Sequence, residues 1–281
     1  MKTRTVAIIS CIAVAGFAAL LWYGFTHARG RPVVQEPPGN VVLPVRHLDR
    51  EIDLKAGLLP EVWDEIEPVE LELVYQLTML PWPKERVPAV AVRAFHNGRD
   101  IYFHMRWPDA TEDAIPRPGA FVDASAIMFP LGDRVMPASV MMGFLGRANI
   151  WHWKAGEDRL YWAPDAKEQN AAYADYHYPF EEEELFPVSN PEIVSPVGDL
   201  VAVRAGTVSR KDEQAVQGRG TWNDGHWEVI FARPLEAADP ETGAVFERGA
   251  DGWCAFSVWN GSAGDRGGRK SISGLVRLEI E

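Results

Sequence analysis

From Val87 to Ile280 the chain is a succession of short runs rich in β-branched and aromatic residues, cut by tight-turn signals. Val87–Phe95 is followed by the turn Asn97-Gly98-Arg99-Asp100, and Ile101–Trp107 then resumes the pattern. That arrangement predicts a hairpin. Asn223-Asp224-Gly225 predicts a second one, joining Gly218–Trp222 to Trp227–Phe231. Ala124–Phe129, Ala148–Lys154, Leu200–Gly206, His226–Ala232, Cys254–Trp259 and Gly274–Ile280 are further strand-like runs. With few helical patterns between them, these runs predict an all-β chain, an antiparallel β-sandwich with a few short helices and long loops. Pro60–Glu67 reads as a short helix. Residues 156–195, aromatics among prolines and acids, read as a long irregular excursion, with Glu181–Glu184 a solvated acidic face.

The N-terminus has a different character. Met1–Thr5 is a short basic segment, and the 20 residues from Val6 to Phe25 are almost continuously apolar. Such a stretch is one N-terminal hydrophobic helix, long enough to span a membrane, but Thr26-His27-Ala28 also fits a signal-peptide cleavage site. Both readings send the rest of the chain across a membrane. Pro32, Pro37, Pro38, Gly39 and Pro44 give the next segment a linker composition. The expected organisation is therefore 1–28 signal or anchor, 29–45 linker, and 46–281 the β-sandwich domain, periplasmic or otherwise extracytoplasmic.

A net charge of −12 excludes nucleic acid as a partner, because phosphate binding needs a basic face. The two cysteines, Cys11 and Cys254, leave the β-rich part without an internal disulfide or a cysteine set for zinc, iron–sulfur or covalent haem. The seven histidines are scattered, with no His-x-x-x-His pair, and no nucleophile elbow, P-loop or dinucleotide fingerprint occurs. Gly261–Gly268 is glycine-rich but follows a strand without opening a helix, and reads as a loop. Asp109 and Asp113 read as solvated turn residues. Nothing in the sequence supports self-contained catalysis.

One segment points to redox chemistry. Met141-Met142-Gly143 sets two thioethers beside a glycine turn, and a thioether is a good haem-iron ligand but a poor acid or base. Adjacent residues of a strand point opposite ways, so at most one of the two methionines meets a given iron. In the strand that follows, alternation puts Trp151 and Trp153 on one face, and Ile150, His152 and Lys154 on the other. The indoles read as core or as an aromatic wall for a cofactor, and exposed tryptophans on a sandwich would also suit sugar stacking. Lys270, by composition, is a surface lysine; to bind a metal it must present the neutral amine, which demands burial or loss of its proton to the metal.

Several ordered segments carry a family resemblance. They are Val90–Phe103, Trp107–Thr111, Asp123–Pro130, Met142-Gly143, Asn149–Ala155, Gln217–Trp222 with Pro234-Leu235, and Val258–Gly261 leading to Arg269–Ser273. Over roughly residues 60–281 the chain resembles the haem b (gamma) subunits of type II dimethyl sulfoxide reductase family enzymes, which serve ethylbenzene and dimethyl sulfide dehydrogenases and selenate and chlorate reductases. The resemblance implies one non-covalent b-type haem in a β-sandwich, between methionine and lysine axial ligands. By position these are Met142 and Lys270, with Met141 next in line should the turn be shifted by one residue. It further implies a non-catalytic electron-transfer subunit. Its partners would be a molybdopterin catalytic subunit, an iron–sulfur subunit, and a c-type cytochrome or other periplasmic carrier. The competing class is a non-redox carbohydrate- or ligand-binding module on the same architecture.

Overall fold

A computed structural model describes residues 41–56, 61–76, 85–115, 120–132, 145–163, 193–204 and 206–281. Its strands are β1 (Val42–His47), β2 (Val69–Glu72), β3 (Val74–Tyr75), β4 (Ala89–His96), β5 (Asp100–Pro108), β6 (Ala124–Leu131), β7 (Leu145–Lys154), β8 (Val197–Arg204), β9 (Val208–Arg210), β10 (Gln217–Asn223), β11 (His226–Pro234), β12 (Asp251–Trp259), β13 (Ser271–Ile272) and β14 (Val276–Ile280). One α-helix, α1 (Ala155–Trp162), and two 3-10 turns (Leu54–Ala56 and Glu61–Glu65) accompany them.

Both anticipated hairpins form, each for a local reason. Between β4 and β5, Asn97 Oδ1 accepts the N–H groups of Arg99 and Asp100 at 3.0 and 2.8 Å, and Gly98 takes a φ of 90°. Between β10 and β11, Asp224 and Gly225 take φ of 48° and 72°, the pair of positive values a two-residue I′ turn requires.

The strands form two layers that share a corner. One runs in the order β10-β11-β5-β4-β1-β14-β12, the other continues β12-β6-β7-β8-β9. β12 makes the corner: Asp251–Cys254 pairs with β14, and Ala255–Trp259 pairs with β6. The fold is mixed rather than purely antiparallel, because β1 lies parallel to both its neighbours, β14 and β4. Turn signals reveal strands joined to their chain neighbours; β1 enters from a distance, and nothing local marks its direction. It also begins within the stretch whose prolines read as linker, with Pro44 inside the strand.

Inward-facing residues of the two layers meet in one core. Phe103, Met105 and Trp107 of β5 and Trp227, Val229 and Phe231 of β11 face Ile127, Phe129, Trp151 and Trp153. The aromatics interlock edge to face, as in Phe103–Trp151 at 5.7 Å and Trp153–Trp227 at 5.0 Å between ring centroids. Two glycines of the resemblance segments are explained here. A Cβ at Gly220 would stand 2.1 Å from the Trp153 ring, and one at Gly261 would stand 2.1 Å from the Phe121 carbonyl oxygen.

Three local expectations are corrected. The start of the supposed irregular excursion is helical: α1 buries Ala155, Gly156, Asp158 and Leu160, a face too small and too polar to register as an amphipathic pattern. Pro60–Glu67 yields only the 3-10 turn at Glu61–Glu65, which seats Val62 and Trp63. Asp109 is not solvated but 3% exposed, and lies beside Asp123. The N-terminal apolar stretch and Glu181–Glu184 fall outside the described residues. Among the described residues no helix is long and apolar enough to cross a membrane.

Candidate functional site

The layer built on β6, β7 and β12 has a second face, turned away from the core. Cross-strand partners share a face, so the pairs Ala124–Lys154, Ala126–His152 and Met128–Ile150 define it. The pairs Trp259–Ala124, Ser257–Ala126 and Ala255–Met128 extend it across β12. Ala124, Ala126, Ala148 and Ala255 are all buried, so the face is lined by small apolar side chains covered by larger neighbours. Ile150 spans it, packing against Ala124, Ala126 and Trp259 on one side and Met128, Ala148 and Ala255 on the other.

Lys270 reaches this face from the loop between β12 and β13. That loop is internally braced, as its asparagine and aspartate suggest. Asn260 Oδ1 accepts hydrogen bonds from Ser262 Oγ–H and Ala263 N–H at 2.7 and 2.8 Å, and Asp265 Oδ2 accepts Asn260 N–H at 3.2 Å. Arg266 and Arg269 exchange backbone hydrogen bonds, and the Lys270 carbonyl accepts Gln76 N–H at 3.2 Å just beyond β3. The lysine backbone is thus held at both ends.

Its side chain lies over Trp259, with Nζ 4.4 Å from the ring centroid. On the same indole packs the His152 ring, 4.9 Å away and tilted by 38°. Among the described residues Lys270 has no carboxylate within ion-pair distance, whereas nearby Lys154 is paired with Glu157 at 2.6 Å. Lys270 keeps some surface open to solvent, yet desolvation by the atoms around it pulls its pKa down to about 8. Burial, with the positive charges of Lys154 and Lys270, lowers His152 to about 3. The face therefore presents an amine of lowered pKa and a neutral imidazole beside an apolar lining. The imidazole is held neutral, and the lysine gives up its proton more easily than a solvated one does.

Of the expected ligands, Lys270 is on this face, while Met141 and Met142 lie outside the described residues. Trp151 and Trp153 are not: both are fully buried on the core side, so the aromatic group beside Lys270 is Trp259 with His152. Sequence alternation separates His152 from the two indoles correctly, but nothing in spacing links it to Trp259, a residue more than a hundred positions away. Among the described residues no cluster of three or more histidine, cysteine or acidic side chains could hold a metal.

A family model described as ethylbenzene dehydrogenase matches residues 60–271. The chain belongs to this family. Among similar proteins is one described as a candidate haem subunit of a respiratory nitrate reductase from Haloferax mediterranei. It is 26% identical over 96% of this chain and 80% of its own length. The gamma subunit of dimethylsulfide dehydrogenase from Rhodovulum sulfidophilum is 27% identical, over 66% of this chain and 57% of its own length. The gamma subunit of chlorate reductase from Ideonella dechloratans is 26% identical, over 67% and 62%. The chain thus spans only about three fifths of the latter two relatives. Among solved structures, a family 9 carbohydrate-binding module from Caldicellulosiruptor kristjanssonii in complex with cellotriose superposes with a TM-score of 0.43 at 9% identity, covering 85% of this chain and 94% of the module. Likeness at that level carries no functional meaning.

Proposed function

We propose that this chain is an electron-transfer subunit of a molybdoenzyme complex, holding one b-type haem non-covalently between Met142 and Lys270. The observation that supports this reading is the setting of Lys270: a half-buried amine held over Trp259, of lowered pKa and without a carboxylate partner among the described residues. Such a lysine gives up its proton to a metal more easily than a fully solvated or ion-paired one does. The family and the naming of its relatives as haem or gamma subunits support the same reading.

When bound, such a haem supplies single-electron transfer, and with two strong axial donors it keeps no open position for oxygen or substrate. Lys270 would supply the amine, which lowers the reduction potential relative to a second thioether, and Met142, or Met141 if the turn is shifted, would supply the thioether, which raises it. Ala124, Ala126, Ile150 and Trp259 would keep the surroundings of the amine apolar. Catalysis would belong to a molybdopterin subunit, with an iron–sulfur subunit and a c-type cytochrome or other periplasmic carrier as electron partners. Residues 1–28 would act as signal or anchor and 29–45 as linker, placing 46–281 outside the cytoplasm.

Purification of the full chain tests this. A red protein with stoichiometric iron and a reducible b-type spectrum is expected, and Lys270→Ala should alter its near-infrared ligand bands. A colourless protein retained on polysaccharide would overturn the reading in favour of a binding module. A haem spectrum unchanged by Lys270→Ala would overturn the ligand assignment.

A further inference from the structure

We propose that Trp259 is a positioning residue for Lys270, fixing where the amine sits and which way its lone pair points. This rests on the reading of Lys270 as an axial ligand and extends it to a residue that makes no bond to iron. Trp259 holds the lysine segment by two different parts of one side chain. Its Nε1–H donates to the Gly267 carbonyl at 2.9 Å, tying down the loop three residues before the lysine. Its ring face meets the lysine Nζ at 4.4 Å.

The indole itself cannot swing. Its backbone pairs with Ala124 at the end of β12. The ring packs on Ala124, Ala126 and Ile150 and is flanked by His152 at 4.9 Å. A lysine side chain left alone samples many rotamers, and a ligand that wanders is a weak one. The negative face of an indole attracts ammonium or amine N–H hydrogens and repels a lone pair. Bound to iron the amine would be neutral, and with its N–H groups toward the ring its lone pair would point away from Trp259. One side chain thereby sets both the position and the orientation of the donor.

The test compares Trp259→Leu, Trp259→Phe and wild type as full-length haem-loaded protein, reading the near-infrared band, the electron paramagnetic resonance spectrum and the midpoint potential. Trp259→Leu should show a high-spin fraction and a raised midpoint, at unchanged haem stoichiometry, as amine ligation is lost. Trp259→Phe keeps a ring face but loses the Nε1–H bond to Gly267, and should retain more of the wild-type low-spin signature than Trp259→Leu does. If Trp259→Leu keeps the wild-type spectrum and potential, or if Phe behaves as Leu does, the inference is overturned. Should Trp259→Leu fail to fold, fluorinated tryptophans placed at position 259 weaken the ring face without changing its shape. The potential should then move in step with fluorine number, and no movement overturns the proposal. A Lys270→Ala variant whose spectrum matches wild type marks the failure of the ligand reading instead, independently of what Trp259 does.

Discussion

Trp151 and His152 are neighbours in the chain and belong to opposite surfaces of one sheet. Trp151 is fully buried in the core and donates its Nε1–H to Asn149 Oδ1 at 2.9 Å. His152 packs against Trp259 on the far side, in the company of Lys270. A single residue step along β7 therefore separates what holds the fold together from what the proposed haem would touch.

That separation predicts two kinds of variant. Trp151→Ala should cost about 3–5 kcal/mol, the range for truncating a large core aromatic, with an unchanged ligand spectrum in whatever folds. His152→Leu, which loses no side-chain hydrogen bond among the described residues, should cost less than about 1.5 kcal/mol yet perturb the spectrum. Denaturant titration and absorption spectroscopy on the two variants check this; a reversed pattern would exchange the roles of the two faces.

How far the sequence reveals this arrangement depends on the range of the signal. The β4–β5 and β10–β11 hairpins are legible because Asn97-Gly98 and Asp224-Gly225 carry the backbone geometry in the residues themselves. Alternation likewise separates Trp151 from His152. By contrast, β1 is held in parallel between β4 and β14 by partners far away in the chain, and no nearby residue encodes that direction. The meeting of His152, Trp259 and Lys270 is of the same kind, requiring β12 to turn the corner between layers. Asp109 looks like a turn aspartate because its burial comes from packing that no local pattern records.

Asp158 and Gly220 should prove sensitive for opposite reasons. Asp158 Oδ1 accepts Trp153 Nε1–H at 2.8 Å and Gly220 N–H at 2.9 Å. Asp158→Ala leaves two inward donors without an acceptor and should cost about 1–3 kcal/mol for each. Gly220→Ala forces a methyl into the Trp153 ring and should cost about 1–3 kcal/mol by overpacking. Because both changes act through Trp153, the double variant should lose less than the sum of the single losses, a deviation that denaturant melts can resolve.

The Asp109–Asp123 pair predicts a pH dependence with a definite sign. Burial raises Asp123 to about 6, although it accepts N–H groups from Gly261, Asp113 and Trp227, each at 2.8 Å, which favour its carboxylate form. Asp109 Oδ2 is buried without a partner, and burial together with the Asp123 charge pushes Asp109 up to about 7. Its folded value thus lies above the ordinary 3.8. Between these values the native state binds more protons than the unfolded chain, so stability falls as pH rises through the window. Asp109→Asn supplies a neutral side chain that can donate toward Asp123. It should weaken this dependence, leaving the part that the raised Asp123 carries, and leave the protein more stable than wild type at pH 8. Urea melts at pH 5 and pH 8 decide the matter; an equal loss at both values would show that Asp109 acts through packing alone.

Removal of the proposed haem should be felt most where Lys270 is anchored. Any ligand that binds only the folded state stabilises it by RT ln(1 + [L]/Kd), about 2.7 kcal/mol at a hundredfold excess over Kd. Extraction of the haem should therefore lower the melting temperature, and its return should restore it in wild type but less fully in Lys270→Ala. The lysine hangs from the braced loop between β12 and β13, through the Asn260–Asp265 and Arg266–Arg269 hydrogen bonds. Amide exchange in that loop and along the outer face of β6 and β7 should accelerate on extraction, while the core pairing of β5 with β11 stays protected. Uniform acceleration across both layers would mean that the ligand stabilises the fold as a whole, without a local seat at Lys270.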